Sequence, residues 1–101
     1  MILITATLTI RPEHLGEAVT FSKQHVAASR LEAGCVSHRF FVDPESDCTL
    51  VFLEEWRDRA AVEEHFAKPY SREFAAAMKR WSEGDPRLEI HEVAKTRSLT
   101  I

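Results

Sequence analysis

Hydrophobic positions alternate with polar ones at the start of the chain and then recur with helical spacing. In the first ten residues every second position is apolar: Ile2, Ile4, Ala6, Leu8 and Ile10. This period of two, with threonines in most of the positions between, is typical of a strand. Pro12 suits the first turn of a helix, where its missing N–H costs nothing. Apolar and small residues at helical spacing then predict an amphipathic helix over 12–33, ended by Gly34.

The rest of the chain divides into a hairpin, two helices and a last strand. Strands are predicted over 35–42 and 48–56, with a polar turn over 43–47 between them. Asp58 can cap a helix over 59–68, which Pro69 stops, and Ser71 can cap a further helix over 72–81. A turn over 83–86 precedes a strand over 87–94. The order β-α-β-β-α-β predicts one α+β domain over 1–101, a ferredoxin-like four-stranded antiparallel sheet with helices on one face.

The register of the hairpin stays open by one residue. If Val42 faces Leu50, His38 lies opposite Glu54. If Val42 faces Thr49, Arg39 takes the side shared with Glu54 instead. The two registers put different side chains next to the same carboxylate.

Both faces of the predicted sheet carry large apolar residues. A solvent-facing sheet surface usually holds fewer large apolar residues than this one, which carries Leu3, the pair at 40–41 and the run at 51–53. We therefore expect a homodimer in which two sheets pack face to face. The tail 95–101 ends in alternating Leu99 and Ile101, and we expect it to extend onto the partner's sheet, with a frayed terminus as the alternative.

Composition excludes several classes of partner. The 101 residues include 13 Lys and Arg against 16 Asp and Glu, a net charge of −3 without any basic stripe, which argues against nucleic-acid binding. The apolar runs are far shorter than a membrane span, and the N-terminus lacks the basic region of a signal peptide, so we expect a cytoplasmic protein. Cys35 and Cys48 would begin successive hairpin strands at opposite ends of the ladder, so we expect two free thiols.

Candidate chemistry concentrates where the third strand meets the next helix. Glu54 and Glu55 are adjacent in a strand, so they point to opposite faces and cannot form a catalytic pair. Trp56 ends the strand, and His65 lies at the edge of the helix's apolar stripe, where a histidine suits proton transfer at neutral pH. Three other histidines lack a partner pattern and are interpreted as surface or packing residues: His14, His25 and His91. No metal-ligand spacing or phosphate-binding glycine loop is present, so we expect neither a metal nor a cofactor.

Residues 31–74 resemble the antibiotic biosynthesis monooxygenase (ABM) family, small dimeric α+β barrel proteins. The matching pieces are 32–35 (Glu-Ala-Gly-Cys), 55–56 (Glu-Trp) after an apolar strand, a helix reaching His65, and Pro69 before the next helix. The resemblance implies a pocket between sheet and helices, and oxidation of phenols, anthrones or quinols by O₂ without metal or flavin. It also implies that Trp56 is a pocket wall and donor and that His65 accepts a proton or orients the substrate.

Five further residues are predicted to bind a small aromatic substrate: His38, Phe52, Glu54, Phe74 and Tyr70. The sequence departs from the family at two of them, because members often carry tyrosine where His38 stands and histidine where Tyr70 stands. Two alternatives therefore stay open. One is a non-catalytic dimeric module that binds small molecules or is associated with stress. The other is an isomerase or decarboxylase that uses a carboxylate and a histidine in the same pocket.

Overall fold

A computed structural model describes residues 1–101 and shows one antiparallel sheet. The strands are β1 (Ile2–Thr9), β2 (Cys35–Asp43), β3 (Ser46–Trp56) and β4 (Arg87–Glu92), in the spatial order β2-β3-β1-β4. The helices are a single 3₁₀ turn (Pro12–His14), α1 (Leu15–Ser29), α2 (Arg59–Ala67) and α3 (Pro69–Trp81). This order and topology confirm the predicted ferredoxin-like α+β fold. The helices are all too short or too polar for any of them to cross a lipid bilayer.

Several element boundaries differ from those predicted. The first helix ends at Ser29 instead of Ala33, because the N–H groups of Leu31 and Glu32 bond to carbonyls three residues back, in a tighter turn. Helix α3 begins at Pro69, two residues before the predicted cap Ser71, since proline is favoured in a first helical turn. The hairpin turn is shorter than expected because β3 starts at residue 46, and β4 stops at residue 92 instead of 94.

The register is the first of the two that the sequence allowed. Val42 pairs with Leu50 and His38 with Glu54, so both members of each pair point to the same side of the sheet. That side faces the helices, and His38 and Glu54 are therefore buried together. Arg39 points to the opposite face.

The core lies between the helices and one face of the sheet. The alternating residues of β1 all turn inward, as their spacing predicts, and are at most 9% exposed. Helix α1 meets them with small residues, and Ala18, Ser22 and Ser29 are completely buried. Their small side chains bring α1 close to the sheet, which narrows the space around the inward-facing side chains of β2 and β3.

The other face of the sheet is uncovered in the single chain. It carries Leu3, Phe41, Val51 and Leu53, of which Phe41 and Leu53 are about two-fifths exposed. The apolar surface is smaller than the sequence suggested, because residues 40 and 52 turn to the helix side. Glu54 and Glu55 do point to opposite faces, as predicted. Both cysteines are free thiols.

Gly34 is required by a close contact and does not end a helix. Its φ is not in the left-handed region, where Gly84 (φ 69°) is found instead. A Cβ atom on Gly34 would lie 2.3 Å from the Cβ of Ala61 at the start of α2. The carbonyl of Gly34 also accepts a hydrogen bond from the backbone N–H of Arg57, at 2.8 Å. The missing side chain thus allows the loop after α1 to pack against α2.

We expect Gly34→Ala to lower the free energy of unfolding by about 1–3 kcal/mol, since neither Ala61 nor the backbone can rotate away from the new methyl group. Urea denaturation followed by circular dichroism measures this loss. Gly16→Ala is the matched control, because nothing lies within 4 Å of a Cβ at this position in α1. The control should stabilise the protein by about 0.5–1 kcal/mol, and equal effects at the two glycines would contradict the close-contact explanation.

Candidate functional site

A cavity of about 160 Å³ lies between the helix side of the sheet and α2 and α3. Its apolar walls include Phe52, Phe66, Phe74, Met78 and Leu88. Its polar walls are His25, His38, Glu54, His65 and Ser71. A larger surface groove between α1 and α3 has a volume of about 710 Å³, but it is open to solvent and contains no histidine. The groups capable of acid–base chemistry therefore converge on the smaller cavity.

His65 is held by a carboxylate. Its Nδ1 lies 2.6 Å from Oε2 of Glu32, and the hydroxyl of Tyr70 donates a hydrogen bond to the same oxygen. His65 is 2% exposed and belongs to α2. The first turn of α2 is capped by Asp58, whose carboxylate accepts a hydrogen bond from the backbone N–H of Ala61 at 2.9 Å. A carboxylate beside Nδ1 favours the tautomer with a proton there, which leaves Nε2 as the acceptor. Ser71 Oγ, 3.4 Å from Nε2, completes the surroundings of the ring.

Tyr70 stays a donor across the physiological pH range. Burial, followed by the hydrogen bond to Glu32, raises the pKa of its phenol to about 12. The phenol therefore keeps its proton and helps to fix the Glu32 carboxylate. Glu32, His65 and Tyr70 thus form one hydrogen-bonded group, contributed by the α1–β2 loop, α2 and α3.

Glu54 is a second carboxylate on the cavity wall. Its Oε1 accepts the indole N–H of Trp56 at 2.9 Å, and its Oε2 lies 3.7 Å from Nε2 of His38. Burial raises the pKa of Glu54 to about 7; the Trp56 hydrogen bond lowers it and the charge of Glu32 raises it further. A carboxyl group with this pKa exchanges a proton at neutral pH, as general acid–base catalysis requires.

His25 and His38 are neutral at physiological pH. Burial is the largest cause of the low pKa of each, about 3, and the proximity of His65 lowers both further. The ring of His25 stacks on Phe74 with a centroid separation of 3.9 Å and an interplanar angle of 6°. The ring centroids of His38 and His25 lie 5.4 Å apart, in an edge-to-face arrangement. The two imidazoles therefore act as uncharged groups with available lone pairs.

The raised pKa of Glu54 predicts a pH-dependent cost of folding. The folded state holds the proton up to about pH 7, whereas the unfolded carboxyl loses it near 4.5, so stability falls as pH rises between these values. Removing the carboxylate by Glu54→Gln should therefore stabilise the protein more at pH 8.5 than at pH 5.5, by about 2 kcal/mol. Urea denaturation of wild type and variant at both pH values measures the difference.

Comparing each variant with wild type at the same pH removes the pH dependence that the two proteins share. Glu89→Gln, on the exposed strand β4, is the control and should show no difference between the two pH values. An equal gain from Glu54→Gln at pH 5.5 and 8.5 would contradict the raised pKa.

The structure brings most of the predicted site residues together. His38, Phe52, Glu54, His65 and Phe74 all line the cavity. Two others lie outside it: Trp56 is completely buried behind the cavity, with its ring 4.4 Å from that of His65, and Tyr70 lies on the Glu32 side. Trp56 therefore contacts the cavity residues without forming a wall.

Three site residues were missed by the sequence interpretation. His25 was assigned to the surface or to packing, but it lies in the centre of the site, 7% exposed. Its spacing could have revealed this, because it falls on the buried stripe of α1 between Ser22 and Ser29. Ser71 was assigned to a helix cap. Glu32 belongs to a motif that carries the family resemblance, but no role was predicted for it, since it reaches His65 from a loop 33 residues away in the chain.

Known proteins match this chain along most of its length. The family model for antibiotic biosynthesis monooxygenase matches residues 1–80. The protein sll1783 of Synechocystis sp. is 31% identical over 97% of this chain and 67% of its own length. YcnE of Bacillus subtilis, named as a candidate monooxygenase, is 30% identical over 78% of this chain and 83% of its own.

Among solved structures, Rv0793 from Mycobacterium tuberculosis is similar in fold, with a TM-score of 0.88 and 20% sequence identity. The match covers 96% of this chain and 98% of the Rv0793 chain. This match supports the fold alone, whereas the family model covers residues 1–80, which include His25, His38, Glu54 and His65. The chain belongs to the antibiotic biosynthesis monooxygenase family.

Proposed function

We propose that this protein oxidises a small phenol or quinol with O₂ and takes the electrons from the substrate itself. The observation that carries this proposal is the buried Glu32–His65 pair, whose histidine lines a cavity with aromatic walls. Membership of the ABM family and the name of YcnE support oxygenase chemistry. The cavity supplies what such a reaction needs, which is a place for a ring and a proton acceptor beside it.

The size of the cavity favours a substrate with one ring. Its volume is about 160 Å³, and an apolar protein cavity of about 150 Å³ holds benzene. Pockets for drug-sized ligands start near 300 Å³. The additional rings of an anthrone would have to lie at the mouth of the cavity, against Phe66 and Leu88.

In the proposed reaction His65 removes the phenolic proton. Glu32 accepts the Nδ1–H hydrogen bond and stabilises the cation that forms on the ring, while Tyr70 holds Glu32 in place. The electron-rich phenolate then donates electrons to O₂. One ring C–H carbon gains an oxygen atom from O₂ and becomes a carbonyl. The second oxygen atom leaves as water with the two hydrogen atoms that the phenol loses.

Oxygen uptake tests the proposal. We expect the purified protein to consume one O₂ for each phenol converted to a quinone, or each hydroquinone converted to a hydroxyquinone, with lower rates for three-ring anthrones. Heat-denatured protein measures background autoxidation. A binding assay with benzene-sized, non-oxidisable rings runs in parallel. Ring binding without uptake for any substrate would overturn the oxygenase proposal in favour of a binding module.

We also propose that two chains pair through their open sheet faces. The apolar side chains on this face, half-buried or exposed in the single chain, extend across three strands: Leu3 on β1, Val51 and Leu53 on β3, and Phe41 on β2. Residues 93–101 form no helix or strand in the single chain. Leu99 and Ile101 in this segment are largely exposed and are available to contact the partner.

Light scattering after size exclusion should give twice the chain mass, and Leu53→Glu should shift the measured mass towards that of the monomer. A wild-type monomer at micromolar concentration would contradict this pairing.

A further inference from the structure

We propose that His25, His38 and His65 form a binding site for a divalent transition-metal ion of the zinc type. The inference goes beyond the proposed oxidation and does not depend on it. The three histidines come from α1, β2 and α2, are at most 7% exposed, and each places a ring nitrogen within 4.8 Å of the others. Neutral imidazole is a common ligand of zinc and its neighbours in the periodic table.

The main observation in favour of a metal site is the number of buried imidazole nitrogens without a hydrogen-bond partner. Only four buried side-chain polar atoms lack a hydrogen bond, and three of them belong to this cluster: Nδ1 of His25 and both ring nitrogens of His38. Buried polar groups are nearly always paired, so such an accumulation at one place needs an explanation. A metal ion would take one lone pair from each ring and so satisfy two of these three nitrogens, one on His25 and one on His38.

Neighbouring residues also hold the three imidazole rings in orientations that suit metal binding. His65 is oriented by Glu32 on Nδ1, the carboxylate–histidine arrangement that commonly supports a metal ligand. His25 is fixed by stacking on Phe74. His38 Nε2 lies 3.7 Å from Glu54, and a small movement would make this a hydrogen bond and leave Nδ1 as the ligand atom.

The expected geometry is tetrahedral with one open position. Zinc binds imidazole nitrogen at about 2.0–2.1 Å, so the three nitrogens would have to approach to about 3.4 Å from one another by small side-chain rotations. Because the three histidines and Glu54 line the cavity, its interior supplies the fourth position, for water or the oxygen of a ligand. Zinc has no redox chemistry and supplies no electrons. A zinc ion on Nε2 of His65 would occupy the lone pair that accepts the phenolic proton, so the metal-bound and the proton-accepting states of His65 exclude each other.

Metal titration of the purified full chain tests this inference without any substrate. Protein stripped with EDTA should bind one Zn²⁺ per chain by calorimetry. With Co²⁺ it should give the intense visible absorption of a tetrahedral complex. His25→Gln should weaken Zn²⁺ binding by about 100-fold, and Glu32→Gln, which removes only the orienting carboxylate, by about 10–100-fold. His91→Gln, on exposed β4, is the control and should bind like wild type.

X-ray absorption of the wild-type zinc complex keeps the test independent of how the variants fold. Three imidazole ligands are expected in its spectrum. Absence of binding at millimolar Zn²⁺, fewer than three imidazoles, or unchanged affinity in a folded His25→Gln variant would each overturn the inference. A failure to consume oxygen would overturn the proposed oxidation and leave the metal site unaffected, which separates the two outcomes.

Discussion

Replacing His65 with glutamine is expected to lower the turnover number for phenol oxidation by about 10²–10⁴-fold, the usual contribution of a positioned proton acceptor. Glutamine can still hydrogen-bond to Glu32, so the packing of α2 should be retained, but the amide cannot accept a proton. Oxygen uptake in the presence of a chelator measures the effect and keeps it separate from any metal bound to the histidines. Circular dichroism checks that the variant is folded.

Two comparisons identify the role of His65 in this result. Glu32→Gln should reduce turnover less, because the histidine remains and loses only its orienting carboxylate. His91→Gln lies on the exposed surface of β4 and should have wild-type activity. Activity of His65→Gln within a few-fold of wild type would mean that another group takes the proton, and Glu54, with its pKa of about 7, would be the next candidate.

Truncating Trp56 to alanine is expected to lower the free energy of unfolding by about 3–5 kcal/mol, a large part of the total of about 5–15 kcal/mol for a domain. The indole is completely buried, and Ile2, Ile4, Ala61 and Val62 belong to the same core cluster. Its removal would leave a cavity beneath His65 and take the donor away from Glu54. Urea denaturation at pH 6 measures the loss.

Trp56→Phe separates packing from hydrogen bonding. The phenylalanine ring fills much of the space but cannot donate to Oε1 of Glu54, which should raise the pKa of that carboxyl further, since the Trp56 hydrogen bond is what lowers it. We expect a smaller loss of stability than for alanine, together with a more basic Glu54 in a carboxyl-sensitive infrared titration. A loss below about 1 kcal/mol for Trp56→Ala would contradict its place in the core.

The candidate site was predictable only in part. Trp56 and His65 were expected from their places at a strand end and a helix edge together with the resemblance to the family, and their ring centroids lie 4.4 Å apart. The contact of Glu32 with His65 could not be predicted, because a loop carboxylate is usually solvated and its partner is distant in sequence. His25 was readable as a buried position of α1, but its proximity to His38 and His65 depends on how closely α1 packs on the sheet.

The sequence by itself determined the element order, the inward face of β1 and the opposite orientation of Glu54 and Glu55, because the periods of a strand and a helix are local properties of the backbone. Only the tertiary structure decided the hairpin register, the contact that excludes a side chain at Gly34, and the grouping of His25, His38 and His65. These depend on distances between elements far apart in the chain. Such distances are set by side-chain packing in three dimensions, which no local pattern encodes.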